Sequence, residues 1–149
     1  MVISRWGGCF PLTRARVGID AGVVVLLWLV QLVIYPSFGY LDAERAEEWH
    51  QIYMERSSFL IGPLLGGQVA ILGVQWLSGD RWRHGAAILL AAGMWAWTFW
   101  VSVPLHVSLQ EEFEKKVVDQ LVMTNWPRTW GWTAIAVLGW FVPMGKKED

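Results

Sequence analysis

Three stretches of twenty residues carry one formal charge between them: Val17 to Pro36 (VGIDAGVVVLLWLVQLVIYP), Ser58 to Leu77 (SFLIGPLLGGQVAILGVQWL) and Ala86 to Leu105 (AAILLAAGMWAWTFWVSVPL). A helix rises ~1.5 Å per residue, so about twenty apolar residues cross the ~30 Å hydrocarbon layer of a bilayer. Each stretch therefore predicts a membrane-spanning helix. A fourth run, Thr129 to Met144, has sixteen uncharged residues. It reaches full length by recruiting Asn125 to Arg128, with Arg128 snorkelling toward the headgroups and Pro127 in the first helical turn, where no N–H is needed. The expected spans are about 17–37, 58–78, 86–106 and 126–144.

The long connections have a different pattern. Residues 41–56 (LDAERAEEWHQIYMER) and 109–123 (LQEEFEKKVVDQLVM) are rich in helix formers, and Leu109, Phe113, Val117 and Leu121 recur at i+4 steps. Both read as amphipathic helices that lie in the interface or extend the spans into one longer bundle. The expected fold is all-α, a four-transmembrane-helix bundle with a two-helix amphipathic extracytoplasmic cap, in a single integral membrane domain over residues 1–149. No repeat, linker or low-complexity stretch points to a second domain.

Composition agrees with this pattern. Hydrophobic residues make up 54% and charged residues 17%, against about 45–50% and about 25% in soluble domains. A net charge of −1 gives no electrostatic footprint for nucleic acid. The lone Cys9 excludes an intramolecular disulfide, and MVISRWGGCFPLTRAR has neither the apolar run of a signal peptide nor that of a lipobox. Arg5, Arg14, Arg16, Arg81, Arg83, Lys146 and Lys147 fall on one side of the four spans, Arg81 and Arg83 in the short loop SGDRWRHG. The bias of basic residues toward the cytoplasm then predicts a protein of the bacterial inner membrane with both termini cytoplasmic. His84, in that loop, reads as a headgroup contact. Gly62, Gly66, Ala70 and Gly73 on the second span have the small-residue spacing of close helix packing, which suits a homo-oligomer or a larger membrane complex.

The polar inventory within the spans is short: Asp20, Gln31, Gln68, Gln75, Thr98, Ser102 and Thr133. Asp20 reads as an acid paired with Arg14 or Arg16, with a proton relay as the alternative. Gln31 and Gln68 read as interhelical hydrogen-bond partners or as ligand contacts. The absence of a midplane carboxylate argues against a proton pump. Trp76, Trp82, Trp126 and Trp130 suit interfacial anchors, whereas Trp28, Trp95, Trp97, Trp100 and Trp140 lie deeper, and the three on the third span can wall a site for an aromatic molecule.

A sharper constellation gathers at the outer face. His50 on the first cap segment, His106 ending the third span, Asn125 and Arg128 entering the fourth, Tyr35 ending the first and Tyr53 one turn beyond His50 reach a similar depth. Two imidazoles from different helices can act as acid and base, ligate a metal or hold a haem. No HxxxH, CxxC or ExxH spacing selects among these, and a solvated His50 with an interfacial His106 is the structural alternative. Arg128 needs a partner at that depth. Glu55, Glu112 or Asp119 can supply one, as can the carboxylate, phenolate or phosphate of a ligand.

The order of Tyr35-Pro36, Trp49-His50-Gln51-Ile52-Tyr53, Val103-Pro104-Leu105-His106 and Leu121 to Thr129 (LVMTNWPRT) resembles small four-helix bacterial membrane proteins related to the anthrone-oxygenase-like family. Pro104, His106, Asn125 and Arg128 occupy places comparable to that family's Pro plus polar residue and its Asn-x-x-Arg element, with His106 where a Thr is expected. The resemblance implies binding, and in some members oxygenation, of polycyclic aromatic substrates. Three readings are then open. The first is a binding site for a hydrophobic or aromatic small molecule with oxygenase-like chemistry, in which His50 and His106 are catalytic or metal-holding and Tyr35, Tyr53, Gln31, Gln68, Trp97, Asn125 and Arg128 contact the ligand. The others are a non-catalytic accessory subunit of a membrane complex and a bis-histidine haem protein. Transport, channel activity and soluble hydrolase chemistry lack the repeats, charged rings or nucleophile motifs they require.

Overall fold

Four long helices make up the described chain, which comprises residues 9–78 and 81–140 of the computed structural model. Helix α1 covers 9–38, α2 is Ala43–Ser78, α3 covers 81–111 and α4 is Lys115–Trp140. Each packs against its neighbour in sequence, and α4 closes the ring against α1. Short connections between successive helices make neighbours antiparallel, as in an up-down-up-down bundle. Among the described residues three helices, Leu12–Phe38, Ala43–Leu77 and His84–Glu111, are long and apolar enough to cross a membrane. Arg5, Lys146, Lys147, the end of the expected fourth span (141–144) and the side chains of Cys9, Arg81, Trp82 and Arg83 lie outside the described residues.

The helix boundaries depart from the expected ones in three places. Residues 41–56 do not form a separate cap helix. From Ala43 they run without a break into the second span, because nothing between Glu44 and Ser58 interrupts a helix and Pro63 is accommodated inside it. The 109–123 segment is divided: Leu109 to Glu111 end α3, Glu112 is extended at φ −152° and ψ 123°, and α4 begins at Lys115. Glu111, Glu112 and Glu114 explain the break, since negative charge is unfavourable at a helix C-terminus and favourable just before the next N-terminus. Glu114 accordingly accepts at its carbonyl from the N–H groups of Val117 and Val118. Pro127 therefore lies well inside α4 rather than in a first turn.

Prolines also shape α1 and α3. Pro36 and Pro104 cannot donate to the carbonyls of Leu32 and Trp100. Immediately before each proline the helix widens into a π-turn, Val30–Ile34 in α1 and Thr98–Ser102 in α3, closed by Tyr35 N–H to Val30 O and Val103 N–H to Thr98 O. A π-turn adds one residue and rotates the C-terminal part of the helix relative to the N-terminal part. After the turns Tyr35 and Phe38 on α1, and His106 and Leu109 on α3, are buried.

The interior has two apolar layers. One contains Val23, Leu27, Leu65, Leu72, Ala87, Ala91, Trp132 and Ile135, and the other Val30, Tyr35, Phe38, Tyr53, Leu109, Val118 and Leu121. Between apolar helices in lipid, packing and interhelical hydrogen bonds replace the hydrophobic drive. Two glycines on α4 mark the closest approaches. A Cβ at Gly131 would overlap the Met94 side chain, and one at Gly139 would fall 2.8 Å from both Arg16 Nη2 and Asp20 Oδ2.

Candidate functional site

At one end of the bundle the π-turns and α2 bring together most of the outer constellation. His50 is fully buried, so it is not the solvated residue of the structural alternative, and His106 is 7% exposed. His106 Nε2 is 2.9 Å from Tyr35 Oη, and His106 Nδ1 is 2.9 Å from His50 Nε2. Tyr35 packs edge-on to His106 and Phe38 edge-on to His50, while Tyr53 is tilted against His106 and edge-on to Tyr35. Helices α1, α2 and α3 each supply one member of this row.

A second polar group, largely from α4, lies beside it. Asn125 Nδ2 donates to Gln31 Oε1 at 2.8 Å, Gln31 Nε2 donates to Val122 O at 3.1 Å, and Arg128 Nη1 donates to Asn125 Oδ1 at 3.0 Å. Thr129 Oγ1 completes the group through Asn125 and Gln31. Pro127 leaves the carbonyl of Met123 without its helical donor. The carbonyls on either side take side-chain donors from other helices, Gln31 on Val122 and Trp97 Nε1 on Thr124 at 2.9 Å.

Arg128 stands out in this group. It is 6% exposed and its Nε is buried without a partner. The carboxylate expected from Glu55, Glu112 or Asp119 is not there: the salt bridge among the described residues is Arg16–Asp20. His50 Nδ1 is likewise buried with no partner. α3 and α4 also form an open apolar groove of about 440 Å³ lined by Trp100, Val101, Pro104, Leu105, Gln120 and Thr124, none of them a member of the two polar groups.

No family model, curated protein or solved structure matches this chain.

The histidine end thus unites Tyr35, Tyr53, His50, His106, Gln31, Asn125 and Arg128. Trp97 is half-buried and ties α3 to α4 through Thr124. Gln68 is elsewhere. Its Nε2 donates to Asp20 Oδ1 at 2.6 Å, at the opposite end of α1. There Arg16 bonds Asp20 at 3.2 Å, Gln75 at 2.9 Å and the Ile135 carbonyl at 3.4 Å, so Asp20 is a paired acid. His84 is buried rather than spread on a headgroup surface.

One residue of these networks does not stand out in the sequence. Thr129, fully buried, sits one turn after Asn125, and that i, i+4 polar spacing is its only signal. Of the two arginines expected beside Asp20, it is Arg16, one turn before it, that makes the salt bridge.

The donor set bears on metals and haem. Among the described residues no three His, Cys, Asp or Glu side chains group as metal ligands. The facing nitrogens of His50 and His106 bond each other, and a haem iron with its macrocycle does not fit between atoms 2.9 Å apart. The arrangement suits acid-base work and recognition of an anionic or hydroxylated group.

Proposed function

We propose that this is an integral membrane protein of the bacterial inner membrane, with both termini cytoplasmic, which binds a small hydrophobic or aromatic molecule at its extracytoplasmic histidine end. Arg128 carries the reading. A buried guanidinium with an unpartnered Nε and no carboxylate beside it is costly unless something anionic or hydrogen-bond-accepting joins it. The other arginine buried among the described residues, Arg16, is neutralised by Asp20. An acceptor group on the ligand completes Arg128, and the groove along Trp100, Leu105 and Thr124 takes an apolar body. Hydroxylated polycyclic aromatics combine both parts, and they are the class that the anthrone-oxygenase-like resemblance implies. Oxygenation of such a ligand belongs to that resemblance, whereas binding is what the geometry supports.

The test is quenching of tryptophan fluorescence by 1,8-dihydroxyanthraquinone, titrated into protein in detergent micelles. Wild type should quench saturably. Arg128→Gln should weaken binding by about tenfold to a hundredfold, the worth of a charge-assisted hydrogen bond. Equal affinity in the variant would remove Arg128 from the site. Absence of saturable binding by wild type would leave the accessory-subunit reading in its place.

A further inference from the structure

Among the described residues, the buried side-chain atoms without a hydrogen-bond partner are His50 Nδ1, Gln68 Oε1, Arg128 Nε and Trp132 Nε1. An imidazole nitrogen donates or accepts according to its tautomer and an amide oxygen only accepts, whereas arginine Nε–H and indole Nε1–H only donate. The two obligate donors both belong to α4 and stand one turn apart. They share a face of the helix, with Cβ atoms about 5–6 Å from each other. Side chains on a helix lean toward its N-terminus, which lays the Trp132 indole over the turn that carries Arg128.

Neither donor finds an acceptor in the protein. The buried residues of α4 run from apolar Val118 and Leu121, through Asn125, Arg128 and Thr129, to Trp132 and Ile135. Trp132 therefore sits where the polar turn meets the apolar layer of Leu27, Leu65 and Ala91, side chains that accept nothing. In the polar turn the oxygens are in use: Gln31 Oε1 accepts from Asn125 and Thr129, and Asn125 Oδ1 accepts from Arg128 Nη1. Donors exceed acceptors at this seam.

The row that carries the two donors begins in the groove between α3 and α4. Gln120, Thr124, Arg128 and Trp132 follow one another at i+4 steps, and such a row winds around the helix by about 40° per step. Exposure falls along it, from exposed Gln120 through half-buried Thr124 to buried Arg128 and Trp132. Gln120 and Thr124 line the groove. The row thus turns from the groove into the bundle and ends on the idle donors, with Trp97 Nε1 tying α3 to it at the Thr124 carbonyl.

We infer that Arg128 Nε and Trp132 Nε1 donate to one acceptor-only group of the ligand, a carbonyl or ionised oxygen, which enters head first along this row while the apolar body stays in the groove. The inference rests on the ligand-binding reading under Proposed function, and it adds Trp132 as a second binding residue. One such oxygen has two lone pairs, enough for both N–H groups. An un-ionised alcohol would bring a further donor to a place already short of acceptors.

The experiment is proton–nitrogen NMR of the indole N–H groups in full-length protein in micelles. The chain has twelve tryptophans, so the Trp132 signal is assigned by its loss in Trp132→Phe. Saturating anthraquinone-2-carboxylate, whose oxygens only accept at neutral pH, should move that signal downfield in wild type and much less in Arg128→Gln. Trp132→Phe keeps a ring in the layer without the N–H, and it should weaken binding of the probe by about fivefold to tenfold. A probe that binds saturably while the Trp132 signal stays fixed would overturn the inference and leave Arg128 as sole holder of the ligand. If no aromatic probe binds, titration with sodium acetate decides. A Trp132 signal that moves with acetate in wild type and not in Arg128→Gln would keep the shared acceptor and remove the aromatic ligand. A signal that acetate leaves fixed would then overturn both.

Discussion

Removing both members of the Arg16–Asp20 pair should damage the protein less than removing either one. Arg16→Leu leaves a fully buried carboxylate with only Gln68 as donor, and Asp20→Leu leaves a guanidinium 3% exposed with Gln75 and a backbone carbonyl. Breaking a buried pair from one side costs about 3–5 kcal/mol, because the survivor is an uncompensated charge. Two independent losses would sum to about 8 kcal/mol. In the double leucine variant no charge is stranded. What remains is Gln75 without its donor and Gln68 without its acceptor, about 1 kcal/mol each within a bundle of this kind. The double variant should therefore lose about 2 kcal/mol. Unfolding by SDS titration from mild micelles, monitored by helical circular dichroism, measures all three variants on one scale. A double variant as unstable as the sum of the singles would refute the reasoning and show that the two residues act separately.

The packing and the charge pattern lead to two further outcomes. Gly131→Ala should destabilise the bundle by about 1–3 kcal/mol, since its Cβ overlaps Met94, and adding Met94→Ala should restore part of the loss in the same titration; no recovery would place the strain elsewhere. Fusion of a cytoplasm-active fluorescent reporter to the C-terminus should be bright, and fusion of a periplasm-active phosphatase should be inactive. The opposite pattern would invert the proposed orientation.

Hydropathy makes the spans legible because it integrates over twenty residues and tolerates local error. The boundaries depend on single residues, and there the sequence misleads. Pro127 looks like a helix start because proline is common in first turns, yet α4 has already begun at Lys115, after the Glu111 to Glu114 cluster. The acids are visible, but their effect on a helix end outweighs the i+4 apolar spacing of Leu109, Phe113, Val117 and Leu121, and nothing in a periodicity argument weighs the two. The histidine site is visible as a shared depth. Depth alone gives neither the burial of His50 nor its contact with His106, and Tyr35 and His106 each follow a π-turn that a periodicity argument does not register. Gln68 has the same depth ambiguity and lies at the other end of the bundle, where Asp20 supplies the acceptor it needs.

Among the described residues, the two buried arginines provide the strongest internal comparison. Arg16 has a carboxylate, a glutamine and a backbone carbonyl around it, the full set of acceptors expected of a structural cation in an apolar surrounding. Arg128 has one amide oxygen and keeps an idle Nε. Asn125, Arg128 and Thr129 are among the polar residues that α4 carries inward. A helix selected only to fill the bundle gains nothing from this arrangement. Under the proposed ligand-binding role, the idle Nε is where an acceptor group of the ligand is held.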